Sequence, residues 1–258
     1  MLRYLLVLLV VQWCQTLGFG TDYCRKDICP GNSTHVACQA PKQFGPSCFN
    51  KKPKVIRMRK TMKKVLLQEH NRLRSLVAEG KLTGFPPASR MPTLVWDVEL
   101  QHIAGCNTRL CRFEHDSCRN TNVFRYAGQN LAMRTSRGPL QIPVPVNRML
   151  RDFVRSWFAE HKATRPAMID AYPENYDGPD IGHFTQLVSD RTWKMGCALV
   201  RFNDAGSIRY YLVCNYSFIN IIGQPVYRKG PSCSRCQRKC NKKYPGLCKI
   251  SEKVLSVP

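Results

Sequence analysis

The strongest hydrophobic pattern lies at residues 60–80. There Val65, Leu66, Leu67, Leu73, Leu76 and Val77 share one broad helical face, and Gly80 follows as a stop. A second helix opens at Trp96-Asp97, with Asp97 as its N-cap, and runs to about Leu110. A third covers Val146 to His161 and carries Met149, Leu150, Phe153, Trp157 and Phe158 on its apolar side. Proline-rich connections, Thr83–Pro92 and Gly138–Pro145, separate these segments, and Tyr172–Ile181 is turn-rich. Three strand-like runs close the region: Phe184–Val188, Gly196–Phe202 and Ile208–Tyr216. Asp204-Ala205-Gly206-Ser207 supplies a hairpin turn between the last two. Helices early and antiparallel strands late predict an α+β fold with helices layered on a sheet.

The two ends of the chain do not follow this periodicity. Arg3 precedes an unbroken apolar run, Leu5–Val11, and Gly18-Phe19-Gly20 places small residues before a cut after Gly20. This is the pattern of a secretory signal. The run is too short for the ~20 residues that span a bilayer, so the chain is expected to be secreted and not transmembrane. Residues 21–53 are rich in Cys, Pro, Gly and Asn and read as a loop-rich lead-in. It contains the sequon Asn32-Ser33-Thr34, the expected glycosylation site; a second, Asn215-Tyr216-Ser217, sits in a strand-like run and is expected to go unused.

Composition sharpens this in two ways. The chain carries 14 cysteines, and Cys14 falls in the leader, leaving an odd number. With a leader present, such density reads as disulfides and not metal thiolates. The tail spacing Cys233-x2-Cys236-x3-Cys240-x7-Cys248 opens like a zinc module, but the secretory context favours disulfides there too. The net charge is +23, concentrated in Lys51–Lys64 and in the tail from Arg228 to Lys249. That field draws sulfated glycans and acidic lipid surfaces outside a cell, with nucleic acid not expected; the bland alternative is a solvated face without a dedicated ligand.

Several stretches together form a recognisable order. Glu69-His70-Asn71-Arg72-Leu73-Arg74 lies on the first helix and Leu94–Leu100 opens the second. His115-Asp116-Ser117-Cys118-Arg119-Asn120-Thr121 leads to Tyr126–Ala132. Trp157-Phe158-Ala159-Glu160, Gly182–Val188 and Tyr211–Tyr216 follow. Across residues 60–222 this ordered set resembles the CAP superfamily (cysteine-rich secretory, antigen 5, pathogenesis-related). The lead-in cysteines and the run Asn220–Tyr227 resemble insect, specifically dipteran, antigen 5 proteins. The resemblance implies an α-β-α sandwich, with residues 1–20 a signal peptide, 21–59 a Cys-rich basic extension, 60–222 the CAP domain and 223–258 a basic Cys-rich tail. It implies the pairs Cys24–Cys38, Cys29–Cys118, Cys48–Cys111 and Cys197–Cys214. The working expectation for the tail is Cys236–Cys248 with Cys233–Cys240, leaving Cys106 as a buried thiol inside a helix.

The resemblance also places His115, Gln129, Glu160 and His183 in a shared cleft. Many members of the superfamily have Glu where this chain has Gln129, and an amide is neither a general base nor a good ligand for a hard cation. His115 and His183 are the candidate zinc ligands should the cleft take a metal, with Glu160 as a third ligand or as the group that positions a water. A histidine general base oriented by Glu160, or a hydrogen-bonded brace for the fold, are the other readings. No Gly-x-Ser-x-Gly element or other nucleophile motif accompanies them. His70 reads as a packing residue, and His35, His102 and His161 carry no spacing signal. The expectation is a non-enzymatic extracellular binding protein that needs no cofactor, with an unknown target and with a small lipid or sterol, or a sulfated glycan, as ligand. A zinc-dependent hydrolase is the alternative.

Overall fold

The computed structural model describes residues 19–40, 43–136, 145–252 and 254. The expected leader, apart from its last two residues, and most of the Gly138–Pro145 connection lie outside them. Among the described residues, no helix is long and apolar enough to cross a membrane.

Five strands form one sheet: β1 (Lys54–Ile56), β2 (Val95–Trp96), β3 (Gly128–Ser136), β4 (Lys194–Asp204) and β5 (Ser207–Tyr216). Its order is β1-β4-β5-β3, and β2 joins the same edge of β4 as β1, running parallel to it. The β4–β5 hairpin closes through Ala205 and Gly206, with φ of 46° and 71°. Positive φ at both central residues gives the turn whose twist matches paired strands.

The sheet is covered on both sides. Helices α1 (Lys60–Ala78), α3 (Val146–Ala159) and α5 (Gly182–Val188) pack together on one face, and α2 (Val98–Thr108) lies on the other against β4 and β5. A short helix, α4 (Pro166–Asp170), lies between α3 and α5 in the chain. Alternate strand residues serve the two layers. Met195, Cys197, Leu199, Leu212, Cys214 and Tyr216 join the core beneath α1, α3 and α5, while Val200, Phe202, Tyr211 and Val213 join the core beneath α2. A strand buried on both faces has no polar alternation to show, which is why β4 and β5 read as continuous apolar runs. This is the expected α-β-α sandwich.

The helices follow the sequence pattern closely. Asp97 Oδ1 accepts the N–H groups of Glu99 and Leu100 at 3.0 Å, capping α2. That helix comes so close to β4 that a Cβ at Gly196 would lie 2.2 Å from the Gln101 nitrogen. The run Phe184–Val188 is a correction: it is helical, within α5, and not a strand. Phe184, Leu187 and Val188 fall at helical spacing in the core, and Thr185 Oγ1 donates to the Ile181 carbonyl at 2.8 Å. A short apolar run carries no period by which to tell a buried helix from a buried strand.

Disulfides tie both ends to this body. Cys24–Cys38, Cys29–Cys118 and Cys48–Cys111 hold the lead-in, Cys197–Cys214 joins directly opposed residues of β4 and β5, and Cys233–Cys240 and Cys236–Cys248 knot the tail. Cys106 takes no part in them and is buried in α2, its sulfur 4.0 Å from His102 Nε2. The tail is not a loose appendage. Val226, Tyr227 and Leu247 enter the main core, and backbone bonds to Pro87, Ser89 and Met91 lay the tail along the 86–93 connection.

Candidate functional site

A cleft of about 480 Å³ opens between the loop before β3, the start of α5 and the segment after β5, with His115, Gln129, Tyr172, Asp180, His183 and Ile222 among its walls. Each histidine stands on a different support. His115 belongs to the loop between α2 and β3, pinned by the disulfides of Cys111 and Cys118. His183 sits in the first turn of α5, its ring stacked on Trp157 of α3 with centroids 6.0 Å apart. Trp157 is itself fixed, donating Nε1–H to the Leu131 carbonyl at 2.8 Å.

The hydrogen bonds set the tautomer of both rings. The Gln129 amide nitrogen donates to Asp116 Oδ2 at 2.7 Å and to Asn215 Oδ1 at 3.0 Å. Its oxygen therefore faces His115 Nδ1, at 2.8 Å, and that nitrogen carries the proton. On the other side, His183 Nδ1–H donates to Glu160 Oε1 at 2.5 Å, while Glu160 Oε2 accepts the backbone N–H groups of His183 and Phe184 at 2.9 and 3.0 Å. In the neutral form of each ring the proton therefore sits on Nδ1, and Nε2 carries the lone pair. Burial, the neighbouring Arg119 and His183 hold the His115 pKa below the ordinary imidazole range, against the opposing pull of the Gln129 hydrogen bond and of Asp116. The neutral, ligating form of His115 is the favoured one.

Of the four residues expected in the cleft, His115, Gln129 and His183 line it. Glu160 stands behind His183, where it orients the ring and caps α5. Its two oxygens take three hydrogen bonds there, all from His183 and Phe184. Among the described residues, no three His, Cys, Asp or Glu side chains are arranged to hold a metal ion. Two nitrogen ligands with water completing the shell is the set this cleft can offer a zinc ion.

The network behind the cleft extends beyond what the sequence pointed to. Asp116 also accepts from Asn107 Nδ2 at 2.8 Å and from Arg119 Nε at 2.6 Å, and Asn107 Oδ1 accepts from the Tyr211 hydroxyl at 2.6 Å. Asp116 is adjacent to His115 in the chain, and that adjacency is the signal that could have marked it. His70 is fully buried, bonded to the Leu66 carbonyl and the Tyr216 hydroxyl at 2.8 and 2.9 Å, with its pKa pushed down to about 4 by burial. It is a core residue. Asn32 is exposed, whereas the Asn215 side chain is buried inside the Gln129 network.

The order of elements, the two-faced sheet and this pair of histidines define one class of protein. Residues 67–216 match the cysteine-rich secretory protein family, CAP, and the chain belongs to that family. It is similar to Venom allergen-1 of Aedes aegypti, with 48% identity over 235 residues, covering 91% of this chain and 90% of that protein. It is also similar to the antigen 5 like allergen Cul n 1 of Culicoides nubeculosus, with 40% identity over 196 residues and coverage of 73% and 87%. Among solved structures, NaASP2 with Zn2+ superposes with a TM-score of 0.61 at 26% identity, covering 74% of this chain and 96% of that one.

Proposed function

We propose that this chain is a secreted, non-enzymatic binding protein whose cleft would hold one zinc ion through the His115 and His183 imidazoles. The observation that carries the reading is the matched pair of fixed tautomers: Gln129 holds one Nδ1–H and Glu160 the other, so both lone pairs are left for a ligand. The zinc in the related NaASP2 structure supports it, as does the family, named for secretion. Bound there, the ion would supply an electrophilic, water-coordinated centre able to bridge to a partner's carboxylate or imidazole.

The same geometry speaks against a hydrolase. Catalytic zinc sites commonly use three protein ligands and a free general base. Here the carboxylate that would serve either role is engaged three times over.

The test is zinc content and titration calorimetry on the purified chain beside His115→Ala/His183→Ala. About one zinc per chain is expected in the wild type and none in the double variant. A wild-type chain that retains no zinc after soaking rules the reading out.

A further inference from the structure

The tail carries charge that nothing in the fold requires. From Ala205 to Ser251 the sequence contains no Asp or Glu. In that interval Arg235, Arg238, Lys239, Lys242, Lys243 and Lys249 are all exposed. Among the described residues, the tail's one ion pair from a basic side chain joins Lys229 to Asp170, at 2.5 Å. Glu252 is no counter-charge for them: it lies buried, paired with Arg90 at 2.9 Å, and accepts the backbone N–H groups of Gln237 and Arg238.

Two details show that the positive charge is held against local cost. Lys239 has φ of 70°, in the left-handed region where a side chain other than Gly or Asn is uncommon. Lys239 also lies opposite Lys249 next to the antiparallel Cys240–Cys248 bridge, with the Lys249 N–H donating to the Lys239 carbonyl at 3.1 Å. Like charges directly opposed on paired backbone repel each other. Both features are fixed by the disulfides Cys233–Cys240 and Cys236–Cys248, so the cations are presented on a rigid frame and lose little freedom on meeting a ligand. Unfavourable backbone and unfavourable charge coinciding at one exposed spot mark a place kept for a ligand.

We propose that the knot around Arg238, Lys239 and Lys249 is a docking surface for a sulfated glycan chain. Charge complementarity selects a polyanion. The knot lacks the open aromatic platforms on which nucleic-acid bases stack, since Tyr227 is buried and Lys243 lies 5.5 Å from the Tyr244 ring. Ile250 is its one large exposed apolar side chain among the described residues, too little to seat the knot in a bilayer.

The experiment measures binding of the full chain to immobilised heparin, to desulfated heparin, to duplex DNA and to phosphatidylserine vesicles, with added chelator to silence the cleft. The variants are Lys239→Gly, the triple Arg238→Gln/Lys239→Gly/Lys249→Gln, and Lys54→Gln in the other basic run as control. Glycine suits the left-handed backbone, so Lys239→Gly removes charge while the knot stays folded. The wild type is expected to remain on heparin above physiological salt. The triple variant should bind roughly eightfold more weakly, at about twofold for each of three exposed contacts, with Lys54→Gln unchanged. Elution of the wild type at or below physiological salt overturns the proposal. So does a triple variant that binds like the wild type, a Lys54→Gln loss as large as the triple variant's, or equal affinity for desulfated heparin, DNA or vesicles.

Discussion

The cleft and the tail solve opposite problems with polar groups. Behind the cleft the polar groups that hold the histidine rings are paired with one another: Asp116 alone accepts from Asn107, Arg119 and Gln129. The scaffold is packed side chains on a sheet buried on both faces. In the tail the charges face water, nearly all without a carboxylate, and the scaffold is covalent, with 7 and 12 residues of sequence separation spanned by its two disulfides. Packing can hold polar groups to fine tolerances only where the surroundings are dense and every hydrogen bond is satisfied. Cross-links can hold like charges together where packing has little to offer. The cleft suits a small, geometrically demanding ligand, and the tail suits a long, charged one.

The sharpest way to break this contrast is to attack the packing that holds the body. Arg74 is fully buried, and its guanidinium donates to the carbonyls of Leu187, Ser189, Pro92 and Thr192 at 2.8 to 3.1 Å. Burial lowers its pKa to about 9, with Asp190 opposing. Arg74→Met should leave those four carbonyls without donors at a cost of about 4 kcal/mol or more. Urea unfolding followed by tryptophan fluorescence and by zinc release should show one transition moved far to lower urea, with cleft and core lost together. Separate transitions would mean that the cleft does not depend on the packed body.

A smaller and more local effect is expected in the tail. Replacing Cys236 and Cys248 by alanine opens a loop whose closure contributes about 3 kcal/mol. The loss should be confined to residues 233–252, read as faster hydrogen exchange there while β4 and β5 stay protected and zinc binding is kept. Leu247 is the point of leakage between the two regions, since it is buried in the main core. Were β5 to lose protection with the tail, the tail would count as part of the body and the contrast would fail.

How much of this the sequence disclosed follows the same divide. Helices α1 and α3 announce themselves by amphipathic period and α2 by its Asp97 cap, because these patterns are local. The strand β3 and the short β1 and β2 do not, since what makes them strands is pairing with β4 and β5, which are distant in the chain. Phe184–Val188 reads as a strand in the sequence and folds as helix, because a run so short carries no period and tertiary contacts decide it. The four cleft residues were visible only through the family's ordered motifs. The division of labour among them, with Glu160 behind His183 and Gln129 behind His115, needed coordinates. The tail's positive charge was plain from composition, whereas the left-handed Lys239 and its opposition to Lys249 were not.

Gln129 is where sequence and structure differ most in what they say. Read as a letter, it looks like the loss of a carboxylate. In the structure its amide does something a carboxylate cannot: it accepts from His115 on one side and donates to Asp116 and Asn215 on the other. Gln129→Glu would put an acceptor where two acceptors already wait, beside a carboxylate whose side chain is 4% exposed. At neutral pH the cost should be about 1–3 kcal/mol, the smallest of the three effects. The sign with pH is fixed by the same contact. Crowding by Asp116 raises the pKa of the introduced carboxyl in the folded state, so the deficit is present above that pKa. It shrinks as pH falls and the protonated group regains a donor. Zinc should respond the opposite way, because a carboxylate on the His115 Nδ1–H makes the imidazole a stronger ligand. A variant that is less stable at pH 7, recovers towards pH 4 and binds zinc more tightly would show that Gln129 serves the Asp116 network at the expense of the metal. Unchanged stability with weaker zinc binding would reverse that conclusion and make the amide part of the zinc site itself.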